Sequence, residues 1–119
     1  PLDWYSLIKN ASAYIGSNMH PIIVSLHNAI PCFSIDHWGT MDFWGNKKEN
    51  GSSKIEHILS VFHLEKNRKS IQHGVCSVSV QGILDAIESY PKQKVLEQSE
   101  LQLKNYNDMM TNIIDVLRI

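Results

Sequence analysis

Residues 14–36 read YIGSNMHPIIVSLHNAIPCFSID, and this stretch decides the predicted fold. Apolar residues 11–15 predict a strand that ends at Gly16, and residues 21–29 predict a short helix with a proline in its first turn. Residues 30–35 predict a second strand with the continuous apolar character of a parallel sheet. A strand, a tight turn, a helix and a strand in this order indicate an α/β protein, which binds ligands beyond the carboxyl ends of its strands.

The remaining elements extend this unit on both sides. Ser53 and Glu56 form a capping box that marks the start of a helix. In chain order, the other predictions are a helix at residues 2–10, a long loop at 36–52, a solvated basic connection at 65–70, a helix at 81–89 and a long amphipathic helix at 92–119. We expect the last helix to dock on the domain surface rather than to form a coiled coil, because its heptad pattern is interrupted by a serine and a tyrosine.

Composition limits the class of protein. The chain has 119 residues, of which 43% are hydrophobic and 19% are charged, as in one globular domain. Its net charge of -1 gives no reason to expect nucleic acid as a partner. The apolar runs are too short to span a bilayer. Cys32 and Cys76 lie among apolar residues without metal-ligand spacing, which suits a reducing compartment, and we predict no metal site and no cofactor.

Two strands are few for a parallel sheet that is covered on both faces. The chain also begins with Pro1 rather than methionine. We therefore expect residues 1–119 to be a single α/β lobe of a larger protein. Within it, residues 1–64 would form the strand–helix–strand core, and residues 79–119 would form the C-terminal helices.

His20 is the first candidate for chemistry. It follows the Gly16–Ser17–Asn18 turn at the start of a predicted helix, where free amides and the helix dipole favour a phosphate or carboxylate. A histidine there can donate to such an anion or act as a general acid, or it can simply bond to the backbone near the helix start.

Asp36 and His37 follow the second strand, at the same predicted edge of the sheet. Alternatively, this pair bonds only to its own backbone. We expect His27, two turns into the helix, to be packed rather than a ligand. Aromatic residues of the long loop can stack on a sugar ring or anchor the loop; they are Trp38, Phe43 and Trp44.

The stretch resembles the C-terminal core of the polysaccharide pyruvyl transferases. In that family a strand ending in Gly-Ser leads to Arg-(Leu/Met)-His, a helix rich in small residues, an Ile-Pro-like step and a second strand. The matching pairs here are Gly16-Ser17, Met19-His20 and Ile30-Pro31. KIEHILSVFHL at residues 54–64 resembles a later lysine-led segment of the family.

The resemblance implies a two-lobed, glycosyltransferase-B-like fold, of which this chain would be the C-terminal lobe: a partial Rossmann-like parallel sheet with flanking helices and a long final helix. It implies a bacterial, cytoplasmic transferase that moves the enolpyruvyl group of phosphoenolpyruvate onto a sugar of a surface polysaccharide or exopolysaccharide. The products would be a pyruvate ketal and phosphate. Because the acceptor would sit between two lobes, the isolated lobe should be inactive.

The resemblance also assigns roles to residues. His20 would be catalytic, acting at the donor as an acid or as a phosphate or carboxylate contact. The substrate-binding residues would be Gly16, Ser17, Asn18, Met19, Asp36, His37 and Lys54.

Asn18 occupies the position of the family's arginine, and an amide cannot reproduce a bidentate anion clamp. Two alternatives therefore stay open. One is a glycosyltransferase or sugar epimerase of similar architecture that binds a nucleotide sugar. The other is a non-catalytic member of the family.

Overall fold

The computed structural model describes residues 2–37, 40–41, 47–48, 53–71 and 77–118. Helices and strands alternate along the first half of the chain, as predicted, and helices make up the end. The elements are α1 (Leu2–Lys9), β1 (Tyr14–Gly16), α2 (Met19–His27), β2 (Cys32–Asp36), β3 (Thr40–Met41), β4 (Lys47–Lys48), α3 (Lys54–Val61), a 3₁₀ turn (Glu65–Asn67), β5 (Arg68–Ser70), α4 (Val80–Glu88) and α5 (Lys92–Leu117).

Within the described residues the main sheet has three parallel strands in the order β1–β2–β5. Tyr14 pairs with Cys32, and Ser34 pairs with Arg68. The prediction of two parallel strands joined by a short helix is confirmed. The long loop predicted at residues 36–52 also contains β3 and β4, which pair antiparallel; Trp38, Phe43 and Trp44 lie outside the described residues.

The third strand corrects one prediction. Residues 65–70 do not form a solvated connection, because the 3₁₀ turn and β5 lie against β2. Asn67 is fully buried, and its Nδ2 donates to the carbonyl oxygen of Cys32 at 3.0 Å. The Arg68 side chain is only 10% exposed. Lys66 and Lys69 are exposed, as predicted.

The core lies between α2, β2, α3 and the start of α5. Its buried members are Ile22, Leu26, Cys32, Ile55, Leu59, Leu64, Tyr90 and Val95. Cys32 is fully buried in this core, and burial raises the pKa of its thiol to about 11, partly offset by the Tyr90 hydroxyl 3.9 Å away. Cys76 lies outside the described residues.

The prediction that His27 is packed is wrong, and the docking predicted for α5 is confirmed only near the start of that helix. His27 is exposed rather than packed, because it lies in the last turn of α2 on the side away from the core. The long helix α5 docks only near its start, where Val95 is buried, and residues 101–118 are exposed. None of the helices in the described part of the chain has both the length and the apolar character of a transmembrane span.

Candidate functional site

A cavity of about 250 Å³ opens where the carboxyl ends of β1 and β2 meet the first turns of α2 and α3. It brings together the predicted site residues except Gly16 and His20. Its lining residues are Ser17, Asn18, Met19, Asp36, His37, Ser53, Lys54 and Ile55. The edge of a parallel sheet beyond its strand ends is where an open α/β fold binds ligands, so the location agrees with the sequence-based expectation.

The α2 side of the cavity offers backbone donors. Asn18 is the N-cap residue of α2, with extended backbone angles, but its side chain makes no capping hydrogen bond. The first amides of a helix have no partner within the helix. Pro21 has no amide hydrogen, so Met19 and His20 supply the first donors of this turn. Together with the helix dipole, these amides favour an anion.

The α3 side adds a second helix start and a cation. Ser53 is the N-cap residue of α3, and its Oγ accepts hydrogen bonds from the amides of Ile55 at 3.2 Å and Glu56 at 3.4 Å. Lys54 is the first helical residue, and its side chain is exposed. The cavity therefore lies at the positive ends of two helices, with a lysine at its mouth.

Asp36 ends β2 and is the centre of a buried hydrogen-bond network. Its Oδ1 accepts from Ser34 Oγ at 3.1 Å and from Arg68 Nε at 2.8 Å. Its Oδ2 accepts from Ser53 Oγ at 3.1 Å and from Arg68 Nη2 at 3.4 Å. Asp36 is only 5% exposed, and a buried carboxylate needs such a paired, hydrogen-bonded partner. Its negative charge is balanced within the protein.

His37 presents one free ring nitrogen. Its Nδ1 lies 3.0 Å from the carbonyl oxygen of Ile71. A carbonyl only accepts, so Nδ1 carries the proton and donates. Among the described residues, Nε2 has no hydrogen-bond partner, although it is shielded from solvent. A buried polar atom of this kind normally has a partner, so Nε2 is available to a ligand.

His20 and Gly16 lie beside the cavity rather than in its lining. His20 is the second residue of α2, and its side chain is exposed. Gly16 ends β1 next to Ser17. A Cβ atom at Gly16 would collide with the phenolic oxygen of Tyr14 unless that side chain moved, so packing against Tyr14 by itself favours glycine here. Their predicted roles stay predictions.

Sequence reasoning missed two contributors to this region. Ser53 was recognised as a cap, but its contact with Asp36 depends on how α3 packs on β2. Arg68 was assigned to a solvated patch, and the sequence Arg68–Ser70 has no apolar alternation that would indicate a strand. The available signal was indirect: a carboxylate at the end of a buried strand requires a cation, and Arg68 is the type of residue that binds a carboxylate with two parallel bonds.

Residues 1–39 match the polysaccharide pyruvyl transferase family. The match confirms the family resemblance over α1, β1, α2 and β2. It includes Ser17, Asn18 and Met19 on one wall of the cavity and Asp36 and His37 at the end of β2, whereas α3 and β5 lie beyond it. No curated protein and no solved structure matches the chain.

Proposed function

We propose that this chain is the C-terminal lobe of a polysaccharide pyruvyl transferase with a glycosyltransferase-B-like fold. The reaction would move the pyruvyl carbons of phosphoenolpyruvate onto a sugar. The observation that carries the proposal is the small cavity at which the first turns of α2 and α3 converge. Phosphoenolpyruvate has a phosphate and a carboxylate, and such groups bind at helix starts.

The chemistry defines what the site must do. Two sugar hydroxyls form two C–O bonds to C2 of the donor, while the C2–O bond to phosphate breaks. Of the two protons that the hydroxyls release, the equivalent of one is added to C3, which becomes a methyl group. The other leaves with phosphate. The products are a pyruvate ketal and phosphate. An acid near the donor therefore accelerates the reaction.

The residues divide these tasks. Met19 and His20 amides and the Lys54 ammonium group would hold the anionic groups of the donor. His37 Nε2, which has no partner among the described residues, would contact a donor oxygen. His20 is exposed in the first turn of α2, beside the cavity. It would act as the acid from the side on which the acceptor enters. Gly16 and Ser17 would shape the turn that presents these amides.

Asn18 carries a neutral amide where the resembled family has an arginine. A neutral amide gives no bidentate clamp, so Lys54 would supply the positive charge on the opposite wall. We propose that the reaction takes place in the bacterial cytoplasm, during synthesis of a surface polysaccharide or exopolysaccharide. The sugar acceptor would bind between this lobe, residues 1–119, and a second lobe.

Calorimetric titration of the full-length protein tests the proposal. Phosphoenolpyruvate should bind, inorganic phosphate should compete with it, and a nucleotide sugar such as UDP-glucose should not. Lys54→Met should weaken phosphoenolpyruvate binding about 10-fold or more, whereas Lys66→Met, which removes an exposed lysine away from the cavity, should change it less than about 2-fold.

Tight binding of the nucleotide sugar without any response to phosphoenolpyruvate would favour a glycosyltransferase or epimerase instead. A non-catalytic family member would be indicated if phosphoenolpyruvate binds but His20→Ala leaves the pyruvate content of the cell's polysaccharide unchanged.

A further inference from the structure

We propose that Arg68 is a positioning residue of the anion site: it acts through Asp36, whose buried charge it balances, and so holds Ser53 and the first turn of α3 against β2. The inference rests on the proposed function for its ligand. Arg68 is not among the described residues that line the cavity. Toward the site, Arg68 contacts the Asp36 carboxylate through both Nε and Nη2.

Arg68 balances the negative charge of Asp36 at the cavity. Asp36 lines the cavity and is 5% exposed. With Arg68 in place, the pair is neutral, so the helix starts and Lys54 set the potential that a ligand meets. Without Arg68, an unpaired carboxylate faces the cavity at low dielectric and repels a phosphate. Arg68 Nη1 also lies 3.7 Å from Glu56 Oε2, so its loss leaves a second negative charge without this partner.

Arg68 also helps to position the first turn of α3, through Asp36 and Ser53. Asp36 Oδ2 accepts from both Ser53 and Arg68. Ser53 in turn caps the amides of Ile55 and Glu56. One side chain on β5 is thereby linked, through the end of β2, to the helix start that carries Lys54. If the Asp36 carboxylate turns toward solvent after loss of Arg68, the Ser53 hydroxyl loses its acceptor and the first turn of α3 loosens.

Four variants of the full-length protein test this chain of contacts. Arg68→Met removes the charge, and Arg68→Lys keeps the charge but loses the two-pronged contact. Asp36→Asn combined with Arg68→Met removes both charges and keeps an acceptor for Ser53. Lys69→Met is the matched control, because Lys69 is the next residue of β5 and is exposed.

Two quantities are measured: the Kd for inorganic phosphate and for phosphoenolpyruvate, and the amide hydrogen exchange of Ile55 and Glu56. Arg68→Met should weaken binding of both anions about 10-fold or more and speed exchange at the two amides, with Leu26 in the core as the reference for global opening. Arg68→Lys should fall between this variant and the unmodified protein. The double variant should recover to within about 3-fold of the unmodified affinity, and Lys69→Met should match the unmodified protein in both readouts.

The outcomes separate the two proposals. If the unmodified protein binds neither anion, the proposed function fails, and the exchange of Ile55 and Glu56 alone decides whether Arg68 positions α3. If Arg68→Met leaves both readouts unchanged, the positioning role is wrong. If the double variant is folded but does not recover affinity, the uncompensated Asp36 charge is not what weakens binding in Arg68→Met, and the inference is overturned. Should Arg68→Met fail to fold, Arg68→Lys and the double variant still give these answers.

Discussion

Ser53→Ala is expected to lower the free energy of unfolding by about 2.5–4 kcal/mol, more than the loss of an ordinary helix cap. Ser53 Oγ caps the amides of Ile55 and Glu56 and also donates to the Asp36 carboxylate. Losing a serine cap costs about 1 kcal/mol. Losing a hydrogen bond to a charged group adds about 1.5–3 kcal/mol, and here the group is buried.

Ser79 provides the matched control. It is the N-cap residue of α4, and its Oγ accepts from the amide of Gly82 at 3.0 Å, but it is exposed. Ser79→Ala should therefore cost only about 1 kcal/mol. The difference between the two variants isolates the contact between Ser53 and Asp36, because both lose a serine cap.

Urea unfolding followed by circular dichroism measures both values, and they can be compared directly where the dependence on urea is the same for the variants. In an Asp36→Asn background, the cost of Ser53→Ala should fall toward that of Ser79→Ala, because the charged acceptor is gone. Equal costs for Ser53→Ala and Ser79→Ala, within about 0.5 kcal/mol, would refute the reasoning that Ser53 belongs to the charge network.

Three further predictions concern the core and the turn. Burial raises the pKa of the Cys32 thiol from its ordinary value of 9.0 to about 11. The free energy of unfolding should therefore decline by up to about 3 kcal/mol as the pH rises from 9 to 11, because only the unfolded chain releases the thiol proton easily. Cys32→Ala should flatten this decline in urea titrations. Leu59→Ala, at a fully buried position, should cost about 2–5 kcal/mol in the same assay. Gly16→Ala should cost about 1–3 kcal/mol because its Cβ meets the Tyr14 ring, and that cost should largely disappear in a Tyr14→Ala background.

The part of the fold at the carboxyl ends of β1 and β2 could be predicted from local patterns. Continuous apolar runs indicated β1 and β2, and the turn between them required a helix that returns the chain to a parallel strand. Carboxyl ends of parallel strands meet at one edge whatever the details of packing. For this reason the Gly16–His20 turn could be grouped with Asp36 and His37 before their contacts were known, and Ser17, Asn18, Met19, Asp36 and His37 line one cavity, together with Lys54.

The partners of these side chains could not be predicted in the same way. Arg68 and Lys69 are adjacent basic residues, and nothing in their local sequence distinguishes the one that is 10% exposed from the one that is exposed. The difference arises because β5 pairs with β2, where Ser34 is opposite Arg68. A buried arginine is specified by a carboxylate far along the chain, and sequence periodicity carries no information about such pairs.

For a similar reason, the sequence predicts that α5 docks on the domain surface but not how much of the helix does so. Its apolar stripe indicates that the helix has a surface to cover, but amphipathicity does not say which surface lies within reach. Val95 is buried in the core, whereas Leu103 and Ile113, further along α5, are 60% and 43% exposed. A helical pattern therefore predicted the element and its extent correctly, while the extent of its packing depended on the distance to the rest of the domain.

The effect of Asn18 that the structure indicates differs from the effect that the sequence alone predicts. An arginine in the turn would hold an anion by its side chain, so its replacement suggests the loss of a binding group. In the folded protein, however, Asn18 leaves the start of α2 without a side-chain cap, and Lys54 stands on the facing wall of the cavity at the start of α3. The groups that would attract an anion are therefore the first amides of α2 and the Lys54 ammonium group, and neither belongs to the side chain of residue 18. In the proposed anion site, Asn18 should therefore reduce the geometric discrimination between anions more than it reduces the attraction for them, so the site should accept a broader range of anions.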